Sequence, residues 1–197
     1  MLLVRSKRCQ STVLLVEFSE SDVSPLLSQL IKIIPPGYST CPNLNYLTEN
    51  STLLSISNNA CNSDSLTMFD LSVFVKLVAV IVGDNNFRYV NTFRMDGLNE
   101  LKSVSIGDDS FTRWKSDDEW NDLVVNNPTR SFHLLNCNEL ESIIIGIGSF
   151  SDYGGGFELR NLPKLSTIKI GEIGSGSFNF YYSSFVIESV LIEDFNE

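Results

Sequence analysis

The sequence predicts a strand-rich α/β solenoid: stacked coils carrying one parallel sheet of short strands, behind a short N-terminal strand-helix cap. Three observations predict it. An apolar block returns in one frame as FDLSVFVKLVAVIVGDNNF (Phe69 to Phe87), FRMDGLNELKSVSIGDDSF (Phe93 to Phe111) and FHLLNCNELESIIIGIGSF (Phe132 to Phe150), then with a slip as FELRNLPKLSTIKIG (Phe157 to Gly171). The copies start 24, 39 and 25 residues apart, an interval typical of repeat architectures. Each copy ends in a V-x-I alternation closed by glycine, the pattern of a short strand running into a sharp turn.

Taken in order, residues 1–40 lie outside the repeat. Thr12 to Phe18 reads as a buried strand, and Pro25 to Ile34 as a short helix with Ser24 as N-cap and Pro25 at its first position. Pro35-Pro36-Gly37 ends that helix. The segment reads either as a cap over the first repeat's open core or as a separate docking element. Residues 41–197 form the solenoid, with Leu54, Ile56 and Cys61 as a degenerate first copy and residues 112–130 as an insertion. The L-x-x-L-x-x-L stretch is spaced too widely for a strand and predicts a curved turn packing a leucine ladder. Gly83, Gly107, Gly146 and Gly171 are expected to supply positive φ at the strand ends. The phenylalanine four residues later plugs the coil, reaching Phe178 three residues late in the fourth copy. A fifth copy is read in FVIESVLI, with Ile187, Val190 and Ile192 on the strand slots.

Energetics require the stack. Burying the seven apolar side chains of one copy contributes roughly 10–20 kcal/mol. Ordering its backbone costs roughly 1–2 kcal/mol per residue, which is more. One copy cannot fold alone, whereas stacked copies cover each other's open faces.

These blocks resemble leucine-rich repeats, in particular the irregular BspA-like subclass, whose units run C-x-x-L-x-x-I-x-I followed by I-G-x-x-A/S-F. CNELESIIIGIGSF carries the resemblance best, with Cys137, Leu140, Ile143, Ile145, Gly146 and Phe150. The likeness spans about Phe69 to Ile192 and begins faintly near Leu44. Asp84, Asp108, Ile147 and Glu172 stand where the commoner leucine-rich pattern has asparagine, so no stacked asparagine ladder is expected. The resemblance implies a curved solenoid with one parallel sheet, used for protein binding and not for catalysis.

Composition narrows the partners. The 197-residue chain is 43% apolar and 19% charged, with a net charge of −10. That charge argues against nucleic acid and against an anionic membrane surface, and it keeps a sheet-rich surface soluble. Cys9, Cys41, Cys61 and Cys137 show no C-x-x-C spacing, so neither zinc nor a disulfide framework is expected. Cys137 occupies a leucine slot and reads as a small buried hydrophobe. The opening MLLVRSKRCQSTVLLVEF has charges within its apolar stretch, and no run has the length of a signal-peptide core or a membrane span. The expected compartment is therefore the cytoplasm, and the sequon Asn50-Ser51-Thr52 is read as chance.

Two surfaces are candidates for function. In the insertion, Ser116 and Glu119 have capping-box spacing, and a helix is expected from Asp117 to Val125 with Trp120, Leu123 and Val124 on one face. Both tryptophans, Trp114 and Trp120, lie there, and tryptophan is enriched at binding hot spots. Their rings either meet a partner or fold back over the solenoid's side. The second surface is the outward strand positions Ala79/Ile81, Ser103/Ser105, Ser142/Ile144, Thr167/Lys169 and Ser189/Leu191. This strip has few charges and suits an apolar or extended partner; β-propensity on a crowded face is the other explanation.

Catalytic signals are sparse. His133 is the only histidine, at an outward slot, and no nucleophile elbow, zinc-binding histidine pair or phosphate loop is present. Gly154-Gly155-Gly156 reads as a turn. Asp84, Asp108 and Asp109 read as turn caps, because Ile147 and Glu172 would interrupt a calcium ladder. No cofactor, metal or catalytic group is expected. The sequence reads as a non-catalytic protein-interaction scaffold of unset oligomeric state. Its partner is a protein of unknown identity, held through Trp114, Trp120, Leu123, Ile81, Ser103, Ser105, Ser142, Ile144, Thr167 and Lys169. The alternatives are a secreted or surface adhesin of the same fold and a small hydrolase using His133. A further reading is a fragment of a longer repeat protein, since the last repeat reaches Glu197 with no obvious closing cap.

Overall fold

This computed structural model describes residues 41, 44, 47–113, 126–172 and 177–188. Ten strands follow one another: β1 (Leu53–Ile56), β2 (Met68–Asp70), β3 (Ala79–Val82), β4 (Thr92–Asp96), β5 (Ser103–Ile106), β6 (Ser131–Leu135), β7 (Ser142–Ile145), β8 (Phe157–Arg160), β9 (Thr167–Ile170) and β10 (Phe185–Glu188). Odd strands form one sheet, ordered β1-β3-β5-β7-β9, and even strands a second, ordered β10-β8-β6-β4-β2. Every pairing is parallel. Each coil thus gives one strand to each sheet, and the described residues form a parallel β-solenoid.

The repeat and the V-x-I strands stand where the sequence put them. Val80, Val104, Ile143 and Ile168 occupy neighbouring rungs of the first sheet. The α/β class is overturned, because the named elements among the described residues are all strands. The cap of residues 1–40, its helix and the Asp117–Val125 helix lie outside the described residues. One sheet also becomes two. The Phe-x-Leu opening of each copy is itself a period-two strand: Phe69, Phe93, Phe132 and Phe157 align in register, with Met95, Leu134 and Leu159 two residues on. Only the L-x-x-L that follows is a corner. The fifth copy shifts accordingly. Ile187 pairs with Leu159 in the second sheet, not with the V-x-I strands, and Phe185 and Ile187, on inward slots of this last described strand, are 49% and 56% exposed.

The corners explain the polar residues of the repeat. After β4, β6 and β8, Gly97, Asn136 and Asn161 hold positive φ of 72°, 53° and 54°, a backbone region open to glycine and tolerated by asparagine. After the odd strands a side-chain ladder runs along the stack. Asn58 Oδ1 accepts from Asp84 N, Asp84 Oδ1 from Asp108 N, and Asp108 Oδ1 from Ile147 N, at 2.7–2.9 Å. A side-chain ladder is therefore present, built on one asparagine and two aspartates rather than on stacked asparagines, and it stops at Ile147, which has no acceptor to offer. A second, buried ladder runs beside it, where Asn86 N donates to Ser110 Oγ and Ser110 N to Ser149 Oγ.

That ladder also corrects the role of the strand-end glycines. Of the four, only Gly171 has positive φ. Gly107 is needed for space, since a Cβ there would lie 2.2 Å from Asp84 Oδ1 and 2.8 Å from Asp84 N. Gly107→Ala is expected to lower stability by roughly 1–3 kcal/mol, as overpacking against backbone does. Gly97→Asn, placing the residue the other coils use at that corner, should be near neutral. Urea denaturation midpoints of the two variants check the contrast.

Two phenylalanine columns fill the interior. Phe87, Phe111, Phe150 and Phe180 stack at centroid spacings of 4.8, 4.7 and 4.8 Å. Phe69, Phe93, Phe132 and Phe157 form the second column at 5.0, 5.3 and 5.1 Å. The fourth plug is Phe180 and not Phe178, which is 42% exposed. Asn179 holds the slot before it and donates to Gly146 O and Ser149 O. All four plugs have positive φ, from 49° to 61°, a conformation that costs a non-glycine residue roughly 1–2 kcal/mol. Burying the ring offsets it.

The chain returning from the insertion is pinned by a buried ion pair. Arg130, fully buried, donates from Nη1 to Asp152 Oδ2 at 2.5 Å and from Nε and Nη2 to Val90 O at 3.1 and 2.7 Å. The guanidinium lies 4.5 Å from the Tyr153 ring centroid, and Tyr153 Oη donates to the same Val90 carbonyl. The three consecutive glycines run against this segment with a bend at Gly155, whose N donates to Arg130 O at 2.8 Å.

One cysteine expectation fails. Cys41 and Cys61 form a disulfide, with Cα atoms 4.7 Å apart. They lie 20 residues apart in sequence, so the coil brings them within about one strand spacing. Cys137 is free and buried, and burial pushes its thiol up to about 11.

Candidate functional site

The outward residues of the two sheets have opposite chemistry. On the first sheet they form two rows, Leu53-Ala79-Ser103-Ser142-Thr167 and Ser55-Ile81-Ser105-Ile144-Lys169. Lys169, on the last strand, is the one charged residue among them. Leu53, Ile81 and Ile144 are 53%, 44% and 42% exposed, while Ser103, Ser105 and Ser142 are half-buried. The sequence-predicted residues Ile81, Ser103, Ser105, Ser142, Ile144, Thr167 and Lys169 therefore share one surface. Leu53 belongs with them and was missed, since the first copy is degenerate. Trp114, Trp120, Leu123, Ser189 and Leu191 lie outside the described residues.

The second sheet's outward face went unread in the sequence, and it is charged. Asp70, Arg94, Asp96, His133, Glu158, Arg160 and Glu188 all stand on its strands. Asp96 accepts from Asn136 Nδ2 at 2.7 Å and pairs with Arg94 at 2.5 Å, and these donors hold its carboxyl below the usual range. Glu158 is lowered likewise, by Arg160 first and His133 second. Arg160 pairs with both Glu158 and Glu188.

His133 sits within this network. Its Nε2 lies 2.9 Å from Ser131 Oγ and its Nδ1 2.8 Å from Glu158 Oε2. That connectivity is the order of a serine–histidine–carboxylate triad. The amides beside Ser131 offer no place for developing charge. Ser131 N donates to Asn91 O and Phe132 N to Gly156 O, so the backbone donors next to Ser131 are committed to the parallel ladder, and an acyl-transfer oxyanion would find no amide there. The group reads as cross-strand pairing on a solvated sheet. Ser131 precedes His133 by two residues on the same face of β6, whereas Glu158 could be associated with His133 only once the register of β6 against β8 was known.

Other surfaces offer little chemistry. A cleft of about 140 Å³ is lined by Asn59, Asn62, Asn85, Arg88, Tyr89, Asp109 and Thr112. Asn62 spans it, donating to Asn85 O and accepting from Arg88 N, so much of its polarity holds successive coils together. Among the described residues no group of His, Cys, Asp or Glu could hold a metal ion, and no helix is long and apolar enough to cross a membrane. Comparison with protein-family models, with curated proteins and with solved structures returns no match.

Proposed function

We propose that this chain is an irregular leucine-rich-repeat-type solenoid acting as a non-catalytic protein-interaction scaffold. The observation that carries it is the contrast between the faces. The first sheet exposes Leu53, Ile81 and Ile144 within rows of serine, alanine and threonine, while the charged side chains borne by strands stand, Lys169 apart, on the second sheet. Such a surface leaves a partner few charges to desolvate. The Trp114/Trp120 insertion supplies a second contact. The same face would serve a secreted or surface adhesin, and the Cys41–Cys61 disulfide favours that setting over the cytoplasm.

A photo-crosslinker at position 81, with one at position 133 as control, tests this reading. A partner protein should be captured from position 81 alone. Ser105→Arg, Ile144→Asp and Trp120→Ala should each weaken that complex about tenfold or more, the scale of a hot-spot loss. Glu158→Gln should not. Equal capture by all variants would remove the interface assignment.

A further inference from the structure

We propose that Asn50 is an N-glycosylation site, and that the chain matures in an oxidising secretory compartment. The proposal does not rest on the scaffold reading. Three observations carry it.

The first is the acceptor itself, Asn50-Ser51-Thr52. The second is where the fold puts it. Asn50 and Thr52 are exposed, in a turn just ahead of β1. Ser51 N donates to Thr48 O at 3.0 Å, and Ser51 Oγ accepts from Thr48 N at 2.9 Å. Thr48 and Ser51 thus build the turn, while the Asn50 side chain makes no hydrogen bond among the described residues. A carboxamide so placed can carry a bulky solvated sugar without disturbing a packed contact. The third observation is independent. The Cys41–Cys61 disulfide closes over this same segment, and structural disulfides persist in oxidising compartments but rarely in the cytosol. N-linked transfer belongs to that secretory setting.

The chemistry needs an oligosaccharide donor activated as a lipid diphosphate. The Asn50 carboxamide nitrogen attacks the donor's anomeric carbon. A C–N bond forms, the C–O bond to the diphosphate breaks, and the nitrogen loses one proton. The sugar is then attached three residues ahead of Leu53 and β1, the first strand of its sheet.

Native protein from its source cells provides the test. Enzymatic hydrolysis of the glycan-bearing side-chain amide in heavy-oxygen water should leave labelled aspartate at position 50, and the unreduced digest should contain Cys41 and Cys61 peptides joined. A second arm directs the full chain into the secretory route of a eukaryotic host behind a cleavable signal. There the wild type should migrate with one added glycan. Asn50→Gln and Thr52→Ala should lose that shift, and Thr52→Ser should keep it. Unmodified Asn50 as the sole native species overturns the proposal. So do free thiols at both cysteines, or an unshifted wild type in the secretory host.

Discussion

Phe150→Ala is expected to destabilise the solenoid by about 3–5 kcal/mol, the cost of deleting a buried aromatic ring from a packed core. The ring stacks on Phe111 and Phe180 at 4.7 and 4.8 Å and meets Tyr153 edge-on at 4.9 Å. Its loss therefore opens a cavity between coils, where each coil relies on its neighbour. The backbone adds a finer test. Phe150 holds a φ of 61°, which glycine adopts freely and alanine does not. Phe150→Gly should then be more stable than Phe150→Ala, the reverse of the usual order at a buried position. Urea denaturation of both variants measures it. An alanine variant equal to or more stable than the glycine variant would show that the left-handed conformation carries no cost here.

Arg130→Met is expected to cost a similar 3–5 kcal/mol, because it leaves the Asp152 carboxylate buried without its cation. Asp152 is 4% exposed and Arg130 fully buried, so water cannot take over either role. Arg130→Lys should recover little, since an ammonium cannot reproduce the fork that reaches Asp152 and the Val90 and Arg88 carbonyls together. Arg130→Met combined with Asp152→Asn should be milder than Arg130→Met alone, since the stranded charge is gone. A double-mutant cycle on thermal midpoints reads the coupling. Additive losses would mean that the two side chains do not act as a pair.

Much of the architecture was legible because burial imposes period two on a strand. V-x-I betrayed the first sheet, and the same alternation placed Ile81 and Ile144 on its outer face. The second sheet hid behind its own brevity. Phe-x-Leu offers two apolar slots before the chain turns, and merging them with the following leucines suggested a curved segment. Asn136 and Asn161 did mark that turn, as asparagines in left-handed corners, a signal that the apolar spacing does not carry. The disulfide was out of reach for another reason. Cys41 and Cys61 become neighbours only when the chain closes a coil, and the first copy was too degenerate to set that coil's length. The pairing of His133 with Glu158 depends in the same way on cross-strand register, which apolar spacing alone does not give.

The two connections of each coil behave differently. From even strand to odd the path never varies: Phe69 to Val80, Phe93 to Val104, Phe132 to Ile143 and Phe157 to Ile168 are equally spaced. Every departure in length falls on the return path, the largest between Phe111 and Phe132 and between Gly171 and Phe180. One edge of the stack thus acts as a ruler and the other as an open seam. Foreign segments spliced into the seam would leave both sheets aligned, which makes that edge the natural place to graft a new loop.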